Sequence, residues 1–225
     1  TDVSVGVITN VQLDSGNLLH QVINAFSIPP ADSPAVPAIT LFNQYLKDQS
    51  QAGRRVVLII DEAQGLSPEL LEEIRLFSNL QHNTELLMQI FLIGQESLID
   101  IITAPGMEQL HQRIIAAAQL KPLDSEQTTS YIAHRLSCVG WKNDPIITDE
   151  VCNLVHKFSD GIPRLINLIC HRLFLHAGLK DKHKLDGGDA LYVIVELHKE
   201  GLLSQKAKNA LGEYVGSVKD LAAND

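Results

Sequence analysis

Residues 54–64, RRVVLIIDEAQ, constrain the fold more than any other stretch. Val56 to Ile60 is an unbroken run of branched apolar residues of strand length. Such a run suits a strand of a parallel sheet whose two faces are both covered by helices. Asp61 and Glu62 follow at once, so the run ends in two adjacent carboxylates. Neighbouring residues on a strand point to opposite sides, and the two acids can therefore do different work.

The rest of the first half repeats this alternation. Val3 to Ile8 reads as a short strand and Ser15 to Phe26 as an amphipathic helix, with Leu18, Leu19, Val22, Ile23 and Phe26 on one stripe. Residues 28–39, with Pro29, Pro30, Pro34 and Pro37, read as a loop, and Thr40 to Ala52 as a second helix closed by Gly53. Ser67 before Pro68 is an N-cap with proline at the first helical position, opening a helix to about Leu80. Leu86 to Gln95 reads as a second buried strand with a polar tip. Helical patterns follow from Ser97 to Ile102 and near Met107 to Ile114, then a last short strand, Ala116 to Leu120. Strands alternating with helices predict an α/β fold with a parallel sheet over residues 1–123.

Beyond Leu123 the pattern changes. Ser125 to Val139, Thr148 to Ser159, Pro163 to Ala177 and Gly188 to His198 read as helices with no strand between them, which predicts a small all-helical domain over residues 124–200. Residues 201–225 read as a peripheral tail. Trp141, after the helix-ending Gly140, reads as a packing residue of the helical domain, and Arg54 and Arg55 as solvated charges. Cys138, Cys152 and Cys170 sit in apolar helical patterns without CxxC spacing and read as reduced core residues of a cytosolic protein. No HExxH or Cys/His cluster points to a structural metal. The formal net charge of −9 disfavours nucleic acid as a partner. No apolar stretch approaches the length needed to span a bilayer.

In open parallel sheets ligands bind beyond the carboxyl ends of the strands, where Asp61, Glu62 and Gln95 all fall. Asp61 suits holding Mg²⁺ through water, and Glu62 suits orienting and deprotonating an attacking water. Four or more apolar residues followed by Asp-Glu form the Walker B pattern of P-loop ATPases. Read in order, VVLIIDEAQGLSPELLEEIRLFSNL, IFLIGQESL, LHQRI and GIPRLIN resemble the AAA+ ATPases of the ExeA/GspA type, which serve type II secretion, and their MshM-type relatives in pilus assembly. The resemblance spans roughly residues 3–200.

The resemblance implies an AAA+ sheet followed by a helical lid domain, with ATP and Mg²⁺ as cofactors. It places Gln95 at the sensor 1 position, Arg113 at the arginine-finger position of a homo-oligomer, and Arg164 at the sensor 2 position, with Ile162 and Pro163 packing near the adenine. It further implies a partner in an inner-membrane secretion or pilus machine, and a cytoplasmic protein associated with that membrane through a partner or a segment outside this chain. Two other readings compete. One is a DNA-binding AAA+ ATPase of the transposition or replication-initiator type; the other is a nucleotide-free interaction module.

One expected part is missing from the 225 residues, because GxxxxGK[ST], the phosphate-cradling Walker A loop, does not occur. In the family that loop precedes the segment matching Val3 to Ile8, so the chain reads as a fragment lacking the first strand and P-loop, with weak or absent Mg·ATP affinity of its own. The missing strand lies between the last strand and the sensor 1 strand, so these two are expected to pair directly or with another chain, by domain swap for example.

Overall fold

The computed structural model describes residues 2–9, 17–30, 35–82, 85–204, 206–207 and 209–212. The chain divides into two compact units, residues 1–118 and 119–225.

In the first unit β1 (Val3–Ile8), β2 (Arg55–Ile60) and β5 (Gln89–Leu92) form a parallel sheet in the order β1-β2-β5. The register pairs Gly6 with Leu58 and Ile8 with Ile60, then Leu58 with Ile90 and Ile60 with Leu92. Between β1 and β2 lie α1 (Leu18–Ala25) and α2 (Ala38–Gln51); α3 (Pro68–Phe77) follows β2. The helix expected from Ser15 thus begins at Leu18, and Ser15 itself lies outside the described residues, as does the part of the proline-rich loop at 31–34. Ser67 caps α3 as its sequence predicts, its Oγ accepting from the Leu70 N–H at 3.4 Å. A hydrogen bond of 2.6 Å between Ser4 Oγ and Tyr45 Oη ties α2 to the sheet. The rings of Phe26, Phe42 and Phe77 pack together in the core, where Phe42 is fully buried.

Among the described residues of this unit, helices cover one face of the sheet, not two. Ile8, Val56, Leu58 and Ile60 point into the helical layer and are buried. On the opposite face Val3, Val5, Val7, Phe91 and Ile93 are each between 48% and 55% exposed. The cause is topological. Parallel crossovers are right-handed as a rule, and the strand order advances in one direction from β1 to β2 to β5, which puts both crossovers on the same side. Covering the other face requires a reversal of direction, which these three strands do not contain.

Two further expectations for this unit are corrected. The apolar run from Leu86 is not one strand: Gln81–His82 (β3) and Glu85–Leu86 (β4) pair antiparallel, Leu87 and Met88 enter the core, and β5 begins at Gln89. After α4 (Ser97–Thr103) and the short α5 (Glu108–His111), Ala116 to Leu120 forms no strand, and Ile115 and Leu120 are 94% and 97% exposed. Alanine has weak strand preference, and no neighbouring strand lies there to supply a ladder. This segment and β5 therefore do not pair within the chain, and among the described residues β5 bonds only to β2.

The second unit packs α6 (Ser125–Ser137), α7 (Asp149–Ser159), α8 (Pro163–Leu179) and α9 (Gly187–Lys199) around Val155, Phe158, Ile169, Ala190 and Ile194, all fully buried. Capping boxes start two of them, Asp124 with Gln127 at α6 and Asp186 with Asp189 at α9. The unit is not free of strands. Ile146–Ile147 (β6) and Lys184–Leu185 (β7) make a short parallel pair that ties the loop before α7 to the loop before α9. Trp141 donates from Nε1 to the Pro145 carbonyl at 3.2 Å, holding the same loop.

The segment after residue 200 does not begin as a peripheral tail. Leu203, Ala207 and Leu211 are buried in the second core, recurring every four residues as one stripe of a helical turn must. Residues 213–225 lie outside the described residues. Of the cysteines, Cys152 is buried and Cys170 half-buried, but Cys138 is exposed, because it follows the last turn of α6 where the chain leaves the core.

Candidate functional site at the strand tips

The carboxyl end of the sheet is built by backbone bonds that continue past the strands. The Asp61 N–H donates to the Ile8 carbonyl, that of Ile93 to Ile60, and that of Ala63 to Ile93, each at 2.9 Å. These bonds bring the ends of β1, β2 and β5 side by side and so place Asp61, Glu62 and Gln95 on one rim. A 3₁₀ turn, Ala63–Gly65, follows the two acids and carries the chain toward α3.

Asp61 is half-buried and Glu62 exposed. The Glu62 N–H donates to Asp61 Oδ1 at 2.9 Å, which holds the first carboxylate against the turn. Glu62 itself lies in the left-handed region, φ 54° and ψ 35°. A non-glycine residue there costs roughly 1–2 kcal/mol, and its effect is to break the strand geometry between the two acids so that Glu62 turns away from β2.

Gln64, which sequence reasoning passed over, joins the predicted residues. Its Nε2 donates to Glu62 Oε2 at 2.5 Å, and its Oε1 accepts from the Gln95 N–H at 3.0 Å. The only sequence signal was a polar residue two positions after the acids, at a spacing that a 3₁₀ turn folds back. Gly94, before Gln95, makes this possible: a Cβ there would lie 2.8 Å from Gln64 Oε1 and 3.0 Å from Leu98 Cδ2.

Arg113 lies two residues past the end of α5, in an exposed turn rather than on the helix expected to carry it. Its backbone N–H donates to the Leu110 carbonyl at 2.9 Å, so the turn is fixed while the guanidinium faces solvent.

Ile162, Pro163 and Arg164 belong to the second unit. All three are exposed, at the N-cap and first two positions of α8. The turn before them is held closely. Asp160 and Gly161 are both left-handed, at φ 52° and 70°. The Gly161 N–H donates to Ser159 Oγ at 3.2 Å, its carbonyl accepts from the Leu123 N–H at 2.9 Å, and Asp160 pairs with Lys206 Nζ at 2.7 Å. The structure thus gathers Asp61, Glu62 and Gln95 at one rim, places Arg113 elsewhere on the same unit, and fixes Arg164 on the other.

This arrangement of strands, acids and helices can be set beside known proteins. Residues 3–102 match the family model described as AAA domain. Over 205 residues the chain is 36% identical to General secretion pathway protein A of Aeromonas hydrophila, covering 89% of this chain. The chain carries an AAA domain of the ExeA/GspA type. It spans 37% of the length of that curated relative. Among solved structures, the ORC2 protein of Aeropyrum pernix in its ADPNP–ADP complexes superposes with a TM-score of 0.65 at 14% identity, over 90% of this chain and 56% of that one. Cdc6p from Pyrobaculum aerophilum gives 0.66 at 12% identity, over 87% and 53%. At these identities the likeness establishes the AAA+ fold, with its parallel sheet and following helical part.

The rim of this AAA domain offers a hard oxygen of the kind Mg²⁺ takes. Mg²⁺ is held by hard oxygen, commonly one or two carboxylates together with water and substrate phosphates rather than an all-protein cage. Asp61 offers such an oxygen, and no cluster of three or more His, Cys, Asp or Glu that could hold a metal occurs among the described residues.

Proposed function

We propose that this chain supplies the hydrolytic half of an ATPase site, and that the complete protein uses ATP turnover to assemble a type II secretion or type IV pilus machine. The observation that carries the reading is the shared rim just past β2, where the Asp61 carboxylate accepts from the Glu62 N–H and the Glu62 carboxylate is linked through the Gln64 side chain to the Gln95 N–H after β5.

In this reading Asp61 would hold Mg²⁺ through water, and that ion when bound would supply charge neutralisation at the phosphate oxygens. Glu62 accepts a proton from the attacking water, for which its exposed carboxylate is suited. Gln95 presents an amide to the γ-phosphate or to that water. Arg113, free to reach outward, acts on the nucleotide of the adjacent subunit in a homo-oligomer, where a guanidinium stabilises charge on the transferring phosphoryl group. Arg164 takes the sensor 2 role toward the nucleotide, with Ile162 and Pro163 as its adenine contacts. The 36% identity to a general secretion pathway protein supports the secretion role. We place the protein in the cytoplasm, associated with the inner membrane through a partner or a segment outside this chain.

ATP turnover by the complete protein tests this reading. Glu62→Gln should slow phosphate release at least about 100-fold, and turnover at the parent rate in that variant overturns the assignment.

A further inference from the structure

The geometry points to Gln64 as a positioning residue for Glu62, one that also makes the carboxylate sensitive to the position of the Gln95 backbone. This inference rests on the ATPase reading of the same rim.

An exposed glutamate on a left-handed backbone has three side-chain torsions to sample, and a general base must be held within hydrogen-bonding reach of its water. Gln64 removes most of that freedom. Its Nε2 holds Glu62 Oε2, which leaves Oε1 as the oxygen not engaged by Gln64. The amide that supplies this grip is itself held, because Oε1 of Gln64 accepts the Gln95 N–H from 31 residues away. The bond continues the backbone series across the rim. After the Ala63 N–H bonds to Ile93, the next donor on the β5 side, Gln95, finds a side-chain oxygen in place of a carbonyl. A movement of Gln95 therefore pulls on the amide that orients Glu62.

The surroundings are shaped for this side chain. A Cβ at residue 94 would meet not only Gln64 Oε1 but the Gln64 backbone N at 3.3 Å, so glycine is what lets the amide pass between the two strand ends. A residue serving only to close the ladder needs an acceptor alone. Gln64 provides an acceptor and a donor, and the donor goes to the one carboxylate that has to be oriented.

The test uses the complete protein with Gln64→Leu, which keeps the bulk and removes both bonds, and Gln64→Asn, which keeps the amide but is one methylene too short to hold both ends. Folding is monitored by thermal melting. We expect kcat to fall on the order of 10- to 100-fold with the KM for ATP within about 2-fold, as loss of orientation without loss of binding requires. A second readout is independent of activity. In protein labelled with ¹⁵N-glutamine, Gln64→Leu should accelerate hydrogen exchange at the Gln95 amide, and Glu62→Gln should shift the Gln64 side-chain amide resonance. Unchanged kcat in a folded Gln64 variant, alongside an inactive Glu62→Gln, overturns the inference while leaving the ATPase reading intact. If Glu62→Gln turns over ATP normally, the ATPase reading fails instead. An unmoved Gln64 side-chain resonance in Glu62→Gln refutes the positioning contact whatever the kinetics.

Discussion

Replacing Gly161 by alanine tests how the turn that presents Arg164 is held. Two costs add there. At φ 70° the backbone is left-handed, which penalises any side chain by roughly 1–2 kcal/mol. The new Cβ would also lie 1.9 Å from the Leu123 carbonyl oxygen, far inside contact distance and against backbone that cannot rotate away. The two segments must separate, which breaks the 2.9 Å bond from the Leu123 N–H to the Gly161 carbonyl. Losing that bond beside a buried glycine costs about 1–3 kcal/mol. The sum is on the order of 3 kcal/mol. Gly140→Ala isolates the first cost, since Gly140 has φ 76° and nothing within 4 Å of its added Cβ. Urea unfolding followed by circular dichroism should separate the two variants by about 2 kcal/mol, a midpoint difference of roughly 1 M for a typical slope. Equal losses in Gly161→Ala and Gly140→Ala would refute the close approach of Leu123 to this turn.

Two further outcomes follow from the helical unit. Burial works against the Asp189 carboxylate, but bonds from Lys182, the Asp186 N–H and His176 outweigh it and hold its pKa below the ordinary 3.8. The resulting stabilisation is complete above that value and is lost as pH falls through the lower folded pKa, so melts should weaken more steeply below about pH 4 in the parent than in Asp189→Asn. Parallel curves would contradict it. Among the thiols, burial pushes Cys170 up to about 12 and raises Cys152, whereas Cys138 is exposed. A thiol reagent at about pH 8 should label Cys138 in the native protein and the other two only on unfolding; native labelling of Cys170 at the Cys138 rate refutes this packing.

How much of this was legible in the sequence depends on whether the signal was local. The run Val56 to Ile60 and the Ser67-Pro68 start of α3 declare themselves within a few residues, since periodicity and capping are properties of the segment itself. The coverage of the sheet was not local. A buried-looking strand can owe its apolar run to one helical layer on one side and an exposed face on the other, and only the strand order decides which. Ala116 to Leu120 failed as a strand for a similar reason, since an extended segment becomes a strand only when a neighbour offers a ladder. The β3–β4 hairpin and the β6–β7 pair each contribute two residues per strand, too few for alternation to register. Leu203, Ala207 and Leu211 were obscured by the polar residues around them.

At the rim, Asp61, Glu62 and Gln95 could be named because acids and amides at strand tips are conspicuous. Gln64 could not. Its part depends on the left-handed turn at Glu62 and on the missing side chain at Gly94, both of which are properties of the folded chain. The same holds for Gly161, whose need for glycine comes from Leu123, 38 positions earlier in the chain.

The measurement that tests the central claim most directly is binding and turnover of Mg·ATP in the same preparation of the complete protein, parent against Glu62→Gln. The account predicts that the variant binds Mg·ATP within about 3-fold of the parent and hydrolyses it at least about 100-fold more slowly, because a general base contributes about 10²–10⁴ to the chemical step and little to the ground state. Parent-level hydrolysis in the variant would contradict it and remove Glu62 from the chemistry.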